Sequence, residues 1–511
     1  MSDDAVAPGT APKAVSAGRG LLFITGAKLW FMVAGYAIQF ALPRALGSPA
    51  KYGAWGVVLA CVSLFNNVMV TASIQGVSRF ISQIPERAGA VVRAALWRNL
   101  IGGGVVALLF VLGAPLVASV VLHDPAYTSY LRIAGVVTFC YSLYAVFVGA
   151  ANGLRQFHKQ AGLDIGFATL RATAVVGAAI ATHSVTASLG GFAAASAAIL
   201  VASALWVGVG PKGGERFDPK PLQRFFVQVA GYLVLVNLLM FIDTFLLKRM
   251  ATMAAESAGN ANAALAGDTQ AGLYNAVQTV ARLPYQLILA VTFVIFPIIS
   301  RTSFDADTEK AKRYVVVTMR YSLIAVVLMA VALAARPGPV IRLLFPPEYT
   351  AGATALPPLL WGYVAFSLFN ILGTILNGAG DPLASARTGL LTVVVCGVSV
   401  WASLSYALSH GSDPCLAAAA ATAFSMTVGL VLAGIAVHKR FGAVIGIATP
   451  VRVAIGAALA MTVGHFWPTS GFLAGKVGTL LSMIAVAVAY LAVLAPELSP
   501  SELRKLRAES R

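Results

Sequence analysis

Charge is scarce in this chain. Of 511 residues only 11% are charged, and acids are the scarcer sign, 19 against 36 bases. Soluble domains carry about a quarter charged residues, so the shortfall excludes an ordinary soluble protein. Nothing between the apolar runs is long enough for a soluble domain of ordinary size. Cysteine is nearly absent. Cys61, Cys140, Cys396 and Cys415 lie in or beside apolar runs, form no CxxC and lack the spacing of a zinc site. They read as small core residues, and neither a metal nor a cofactor is expected. No GxxxxGK[ST] occurs. "GFLAGKVG" at Gly471 has the wrong spacing and follows no strand, so an ATP-driven pump is not expected. Evenly spaced, short alternating strands are also missing, which excludes a membrane β-barrel. The stretch before Arg19 is small and Ala/Pro-rich, the composition of a disordered tail. The apolar stretch after it is too long for a signal peptide and has no cleavage site.

What the chain does have is apolar sequence, 59% of it. Runs of about 20 residues, each able to cross roughly 30 Å of hydrocarbon, recur along its length. We count fourteen candidate spans, at 20–45, 53–77, 99–122, 130–151, 163–183, 188–209, 225–247, 271–300, 314–335, 353–377, 387–409, 415–437, 446–467 and 477–495. Lipid cannot satisfy open backbone groups, so these are expected to be helices. The formal charge of +17 would suggest nucleic acid in a soluble protein. Here the first explanation is topological, and no nucleic-acid partner is expected. With both termini placed in the cytoplasm, 23 loop cations, Arg98 among them, fall inside and seven, Lys248 and Arg249 among them, fall outside, as the positive-inside rule requires.

The chain also repeats itself. Tyr52 recurs as Tyr274, Ser78-Arg79 as Ser300-Arg301, Arg98 as Arg320, Pro115 as Pro337, and Leu122 as Leu344. "PAYT" at Pro125 answers "PEYT" at Pro347. Every pair keeps one offset, that from Tyr52 to Tyr274. Asn152-Gly153 then answers Asn377-Gly378 at a slightly longer offset, as a small insertion would give. The repeat maps spans 1–6 onto spans 7–12. Six is even, so both halves enter the membrane from the same side, and the repeat is parallel with its axis along the membrane normal. The expected organisation is a cytoplasmic tail (1–18), a first six-helix lobe (19–209), a cytoplasmic linker (210–224), a second lobe (225–438), two further helices (439–495) and a cytoplasmic tail (496–511).

Six cations fall inside spans. Arg132, Arg320 and Arg452 lie near helix starts, where snorkelling accounts for them. Lys28 is nine residues past Arg19 and Arg171 is twelve past Lys159, roughly 14 and 18 Å deep at helical rise. A cation there costs on the order of 2.5–3.5 kcal/mol and calls for a wet cavity or an acid. The only acid in the body of spans 1–6 is Asp164, so the interior of the first half is expected to carry unmatched positive charge. Arg282 sits nineteen residues before Arg301, and Asp243 nineteen after Arg224. The two should share a depth on consecutive helices. They form either a structural ion pair or an arginine at a cavity mouth oriented by Asp243, and both can hold together. Pro284 and Pro297 permit kinks in the same helix. Asn66, Asn67, Gln75, Tyr141, Tyr144, Asn237 and Asn370 either line the cavity or bond between helices.

The stretch "GLYNAVQTVARLPYQLILAVTFVIFPIISR" from Gly272, "LGSPAKYGAWGVV" after the first span, and the six-plus-six repeat resemble the polysaccharide-biosynthesis flippases. These are the Wzx-type members of the multidrug/oligosaccharidyl-lipid/polysaccharide exporter superfamily. The resemblance implies two lobes around a central cationic cavity in a bacterial cytoplasmic membrane. It implies undecaprenyl-diphosphate-linked saccharides as substrates, moved from inner to outer leaflet by alternating access, with polysaccharide polymerase and co-polymerase proteins as partners. Lys28, Arg171 and Arg282 would be the cavity cations. Related lipid II flippases carry important arginines on helices 1, 2 and 8. Here helix 1 offers Lys28, helix 8 offers Arg282, and helix 2 has only Arg79 at its inner end, which counts against lipid II. A cation-coupled multidrug antiporter of the same fold is the alternative. A polymerase- or ligase-type enzyme fits less well, because the longest outer loop looks featureless. A transporter rather than an enzyme is therefore expected.

Overall fold

The computed structural model describes residues 17–210, 217–288, 308–442 and 444–497, and among these no strand occurs. The helices are α1 (Ala17–Leu46), α2 (Pro49–Gln83), α3 (Ala88–Leu116), α4 (Tyr127–Gly153), α5 (Phe157–Thr182), α6 (Val185–Val207), α7 (Lys220–Ser257), α8 (Ala263–Ala281) and α9 (Thr308–Ala334). A short α10 (Pro337–Leu344) precedes α11 (Leu356–Gly378), α12 (Pro382–Ser409), α13 (Pro414–Phe441), α14 (Ala448–His465) and α15 (Lys476–Leu494). A helix falls in each expected span, although residues 289–300 of the eighth, with Pro297, lie outside the described residues. Among the described residues, twelve helices are long and apolar enough to cross a membrane; α8 and α14 are not among them.

Local sequence sets the helix ends. Pro382 and Pro414 open α12 and α13 at the position where a missing N–H costs nothing. Asp381 caps α12 by accepting from the Ala384 N–H at 3.0 Å, and Asp413 caps α13 by accepting from Cys415 and Leu416. The turn from α1 to α2 passes through Gly47 at φ +67°, a left-handed conformation that glycine adopts without penalty. Helix α7 runs past the expected limit of its span, through Lys248 and Arg249, to Ser257. The residues beyond Phe245 include Leu, Lys, Arg, Met and Ala, all good helix formers, and charge alone does not end a helix.

Helix α1 packs on α5, α2 and α3 on α4, and α4 and α5 on α6. In the second half α7 packs on α8 and α12, α11 and α12 on α13, and α9 on α11. Helices α14 and α15 pair with each other and lean on α9. The two sets meet mainly through α2, which packs on both α7 and α8. At one end of the bundle, Leu222 of α7 joins Val77, Ile81, Val91 and Val92 in an apolar cluster with Phe217; this is the linker end. The α1–α2 and α7–α8 turns lie at the other, distal end. Leu112 and Leu205 are 74% and 83% exposed, and such apolar flanks need lipid around them.

Candidate functional site

Helix α8 breaks where its sequence requires it. Pro284 has no N–H to give and crowds the carbonyl four residues back. Regular helix stops at Ala281 and Arg282 becomes the cap, its N–H bonded to the Gln278 carbonyl at 3.0 Å. The break aims the Arg282 side chain between α7 and α11. Its Nε donates to the Tyr363 hydroxyl at 2.6 Å and one Nη to the Met240 carbonyl at 2.7 Å. The guanidinium carbon lies 4.7 Å from the centre of the Phe241 ring. Arg282 borders a cavity of about 150 Å³ that α1, α2, α7 and α8 enclose, with Gln39, Ser63, Thr244, Asn275 and Gln278 among its walls. The Asn275 side-chain N–H2 is buried and unpaired, so the cavity holds an unused donor beside a fixed cation.

The expected contact between Arg282 and Asp243 is not made. Asp243 is 1% exposed, yet its carboxylate is filled by other donors. Tyr274 donates at 2.7 Å, the Thr244 N–H at 2.7 Å, Thr422 at 3.2 Å and Gln278 at 3.3 Å to each oxygen. Gln278, one turn before Arg282, bonds to the carboxylate and lines the same cavity. The matched depth read from the sequence placed both residues on neighbouring helices. It could not show that neutral donors would reach the acid first.

Lys28 and Arg171 are brought together elsewhere, on the α1–α5 pair. Lys28 forms an ion pair with Asp164 at 2.8 Å. The first half is therefore not wholly unmatched in charge, as the sequence suggested. The correction comes from the close packing of α1 on α5, which sets Asp164, the one acid in the body of that half's spans, against Lys28. Arg171 stays without an acid among the described residues. Its guanidinium lies 4.9, 5.8 and 5.7 Å from the ring centres of Phe31, Phe167 and Phe192, and its buried Nε has no acceptor. Neither residue lines the cavity at Arg282.

Of the other polar positions, Asn67 donates to Asn237 at 2.6 Å between α2 and α7, and Asn370 to Tyr285 at 3.0 Å. Both are interhelical bonds. Arg452 is ion-paired with Glu497, a partner that snorkelling had not required. Two cations were misplaced by counting loops. Arg98 sits ten residues inside α3, its guanidinium carbon 3.5 Å from the ring centre of Phe226 on α7. Lys248 is completely buried, 2.7 Å from Asp268 and 3.4 Å from Asp124. The available signal was an acid in each flanking segment, Asp124 and Asp268, in a chain that has few.

A sequence model described as "Polysaccharide biosynthesis protein" matches residues 42–353. No curated protein sequence matches the chain. Among solved structures, the lipid II flippase MurJ in an inward closed conformation superposes with a TM-score of 0.70 over 94% of this chain and 99% of its own, at 12% identity. An inward-facing MATE family multidrug resistance transporter of the MOP superfamily gives 0.63 over 80% and 94%, at 13% identity. A MOP superfamily transporter from Pyrococcus furiosus gives 0.58 over 83% and 96%, at 15% identity. At these identities the likeness carries the fold alone, an all-helical MurJ- and MATE-like fold. The family follows from the sequence match, which covers more than half of the chain: it belongs to the polysaccharide biosynthesis protein family.

Proposed function

We propose that this protein is a flippase that moves undecaprenyl-diphosphate-linked oligosaccharide from the inner to the outer leaflet of a bacterial cytoplasmic membrane, for surface polysaccharide biosynthesis. Two lobes, α1–α6 and α7–α13, would alternate access to the cavity between them, with the linker end in the cytoplasm. The observation that carries this reading is Arg282, a guanidinium with no carboxylate on it, at a cavity built from both halves. A lipid-linked diphosphate brings about two negative charges into a low-dielectric slab. Arginine offsets that cost and takes phosphate oxygens through paired hydrogen bonds. Tyr363 and Phe241 hold the guanidinium in place before the ligand arrives, so little entropy is lost on binding. Lys28 and Arg171 would serve as a second cationic station on the first lobe. Asp243 has the coarser role of fixing Gln278 and Tyr274 behind Arg282. Polymerase and co-polymerase proteins would take the product on the outer face.

The multidrug alternative needs acids in the first lobe to hold a cation. Asp164, the acid in the body of its helices, is already taken by Lys28 at 2.8 Å. The positive-inside count supports the orientation.

Binding tests the substrate class. In native mass spectrometry of the purified protein, undecaprenyl diphosphate should bind at least about tenfold more tightly than neutral undecaprenol, the equivalent of about 1.4 kcal/mol. The preference should shrink in Arg282→Ala. Equal binding of the two lipids would remove the diphosphate from the account.

A further inference from the structure

The repeated tetrads at Pro125 and Pro347 are not used by the cavity, and the structure puts both at the distal junction of the two halves. Each supplies a fully buried tyrosine to the opposite half. Tyr127, on α4, donates to Asp268 of α8 at 2.6 Å. Tyr349, its counterpart in the repeat, stacks edge-on against Tyr52 of α2 at 5.8 Å. The exchange is reciprocal in the backbone too. Arg44 at the end of α1 donates to the Leu344 carbonyl at 2.8 Å, and Arg249 near the end of α7 donates to the Val120 carbonyl. Val120 lies in the π-helical turn that follows α3. Between these staples α2 and α8 cross in contact, since a Cβ on Gly53 would stand 1.9 Å from the Asp268 carbonyl oxygen.

The two tetrads differ in one respect. The Tyr349 hydroxyl is buried and unpaired, whereas the Tyr127 hydroxyl enters a charged network. Lys248 has no exposed surface and holds Asp268 at 2.7 Å, Asp124 at 3.4 Å and the Ala264 carbonyl at 2.9 Å. Asp268, Lys248 and Ala264 all belong to the second half; Asp124 and Tyr127 belong to the first. Parting the halves therefore breaks Lys248–Asp124 and Tyr127–Asp268 but leaves Lys248 paired with Asp268. A buried cation stripped of every partner would be prohibitively costly. Here the cation keeps its partner, and the released Asp124 and Tyr127 move into water. The contact is thus built to hold the distal end shut and to let go.

We propose that Asp124 and Tyr127 on one half, and Lys248 with Asp268 on the other, form a releasable latch that sets how often the distal, outer end of this transporter opens. The latch rests on the alternating-access reading above, but its test requires no lipid substrate. The native cysteines are replaced by alanine, and Ser63, on the cavity wall, is changed to cysteine. A membrane-impermeant thiosulfonate added outside intact cells then reports opening. Asp124→Asn and Tyr127→Phe keep size and shape, so the fold is preserved. Each should raise the labelling rate of Ser63→Cys by on the order of tenfold, the scale of a coupling between two such states. Ser470→Cys, in the exposed turn before α15, calibrates access and should label at one rate throughout. Unchanged Ser63→Cys labelling in both variants, with Ser470→Cys labelled, overturns the latch and leaves the flippase reading standing. Ser470→Cys labelled only from the cytoplasmic side overturns the orientation, and with it the direction of transport.

Discussion

Arg282→Ala should abolish export of the surface polysaccharide while the protein stays at its normal level in the membrane. Two charge-assisted hydrogen bonds to a diphosphate are worth about 1.5–3 kcal/mol each, so losing both lowers flux by about a hundredfold or more. Abundance should hold because Asp243 takes no hydrogen bond from Arg282. That carboxylate keeps its bonds from Tyr274, Thr244, Thr422 and Gln278 when the arginine is gone. For the same reason Asp243→Ala should not rescue Arg282→Ala. An ion pair would behave in the opposite way, with the single change lowering abundance and the double change restoring both abundance and export. Arg282→Lys should recover part of the flux, since lysine keeps the charge but loses the planar fork. Export and membrane abundance measured across these four proteins separate the two cases. A double mutant with full export would reduce Arg282 to scaffolding.

The second large effect is expected at Gly272. Its hydrogen faces the backbone of α2, and a Cβ there would lie 1.9 Å from the Pro49 carbonyl oxygen. No rotamer relieves a clash with backbone, so α2 and α8 must separate along the distal half of their crossing. Gly272→Leu should cost more than about 3 kcal/mol, beyond the usual range for overpacking, and export should be lost. Gly190→Leu is the matched control, because a Cβ at Gly190 meets nothing within 4 Å. Thermal unfolding in detergent and export, compared between the two variants, check the claim. Equal stability and activity would mean that the close crossing is dispensable.

Helix positions were legible because hydrocarbon thickness imposes one length on every span, and the recurring residues were legible because their offset stays constant through loops. Tyr127 and Tyr349 show how far that reached: the repeat paired them, and the structure puts both at one junction. Charge pairing was not legible. Lys28 and Asp164 lie on the first and fifth spans, far apart in the chain, and only the packing of α1 on α5 joins them. Lys248 read as the end of a span because cations usually stop at the interface. Its burial depends on Asp124 and Asp268 arriving from two other elements. Arg98 was missed for a simpler reason, since α3 begins well before the expected span. The break at Arg282 was within reach, because Pro284 marks it. Its partners Tyr363 and Met240 were not, because contacts across helices leave no periodic trace in a single sequence.

The central claim is transbilayer movement of an anionic lipid-linked sugar, and purified protein in liposomes measures it directly. A short saccharide carrying a fluorescent label on undecaprenyl diphosphate is placed in both leaflets, and a membrane-impermeant quencher is added outside. In protein-free vesicles about half the signal should resist quenching, since unassisted crossing of a diphosphate is slow at the charge costs above. With the wild-type protein the protected fraction should fall towards zero within minutes. With Arg282→Ala it should stay near the protein-free value. Protection that persists with folded, monodisperse wild-type protein, or that is lost equally with Arg282→Ala, would contradict the account.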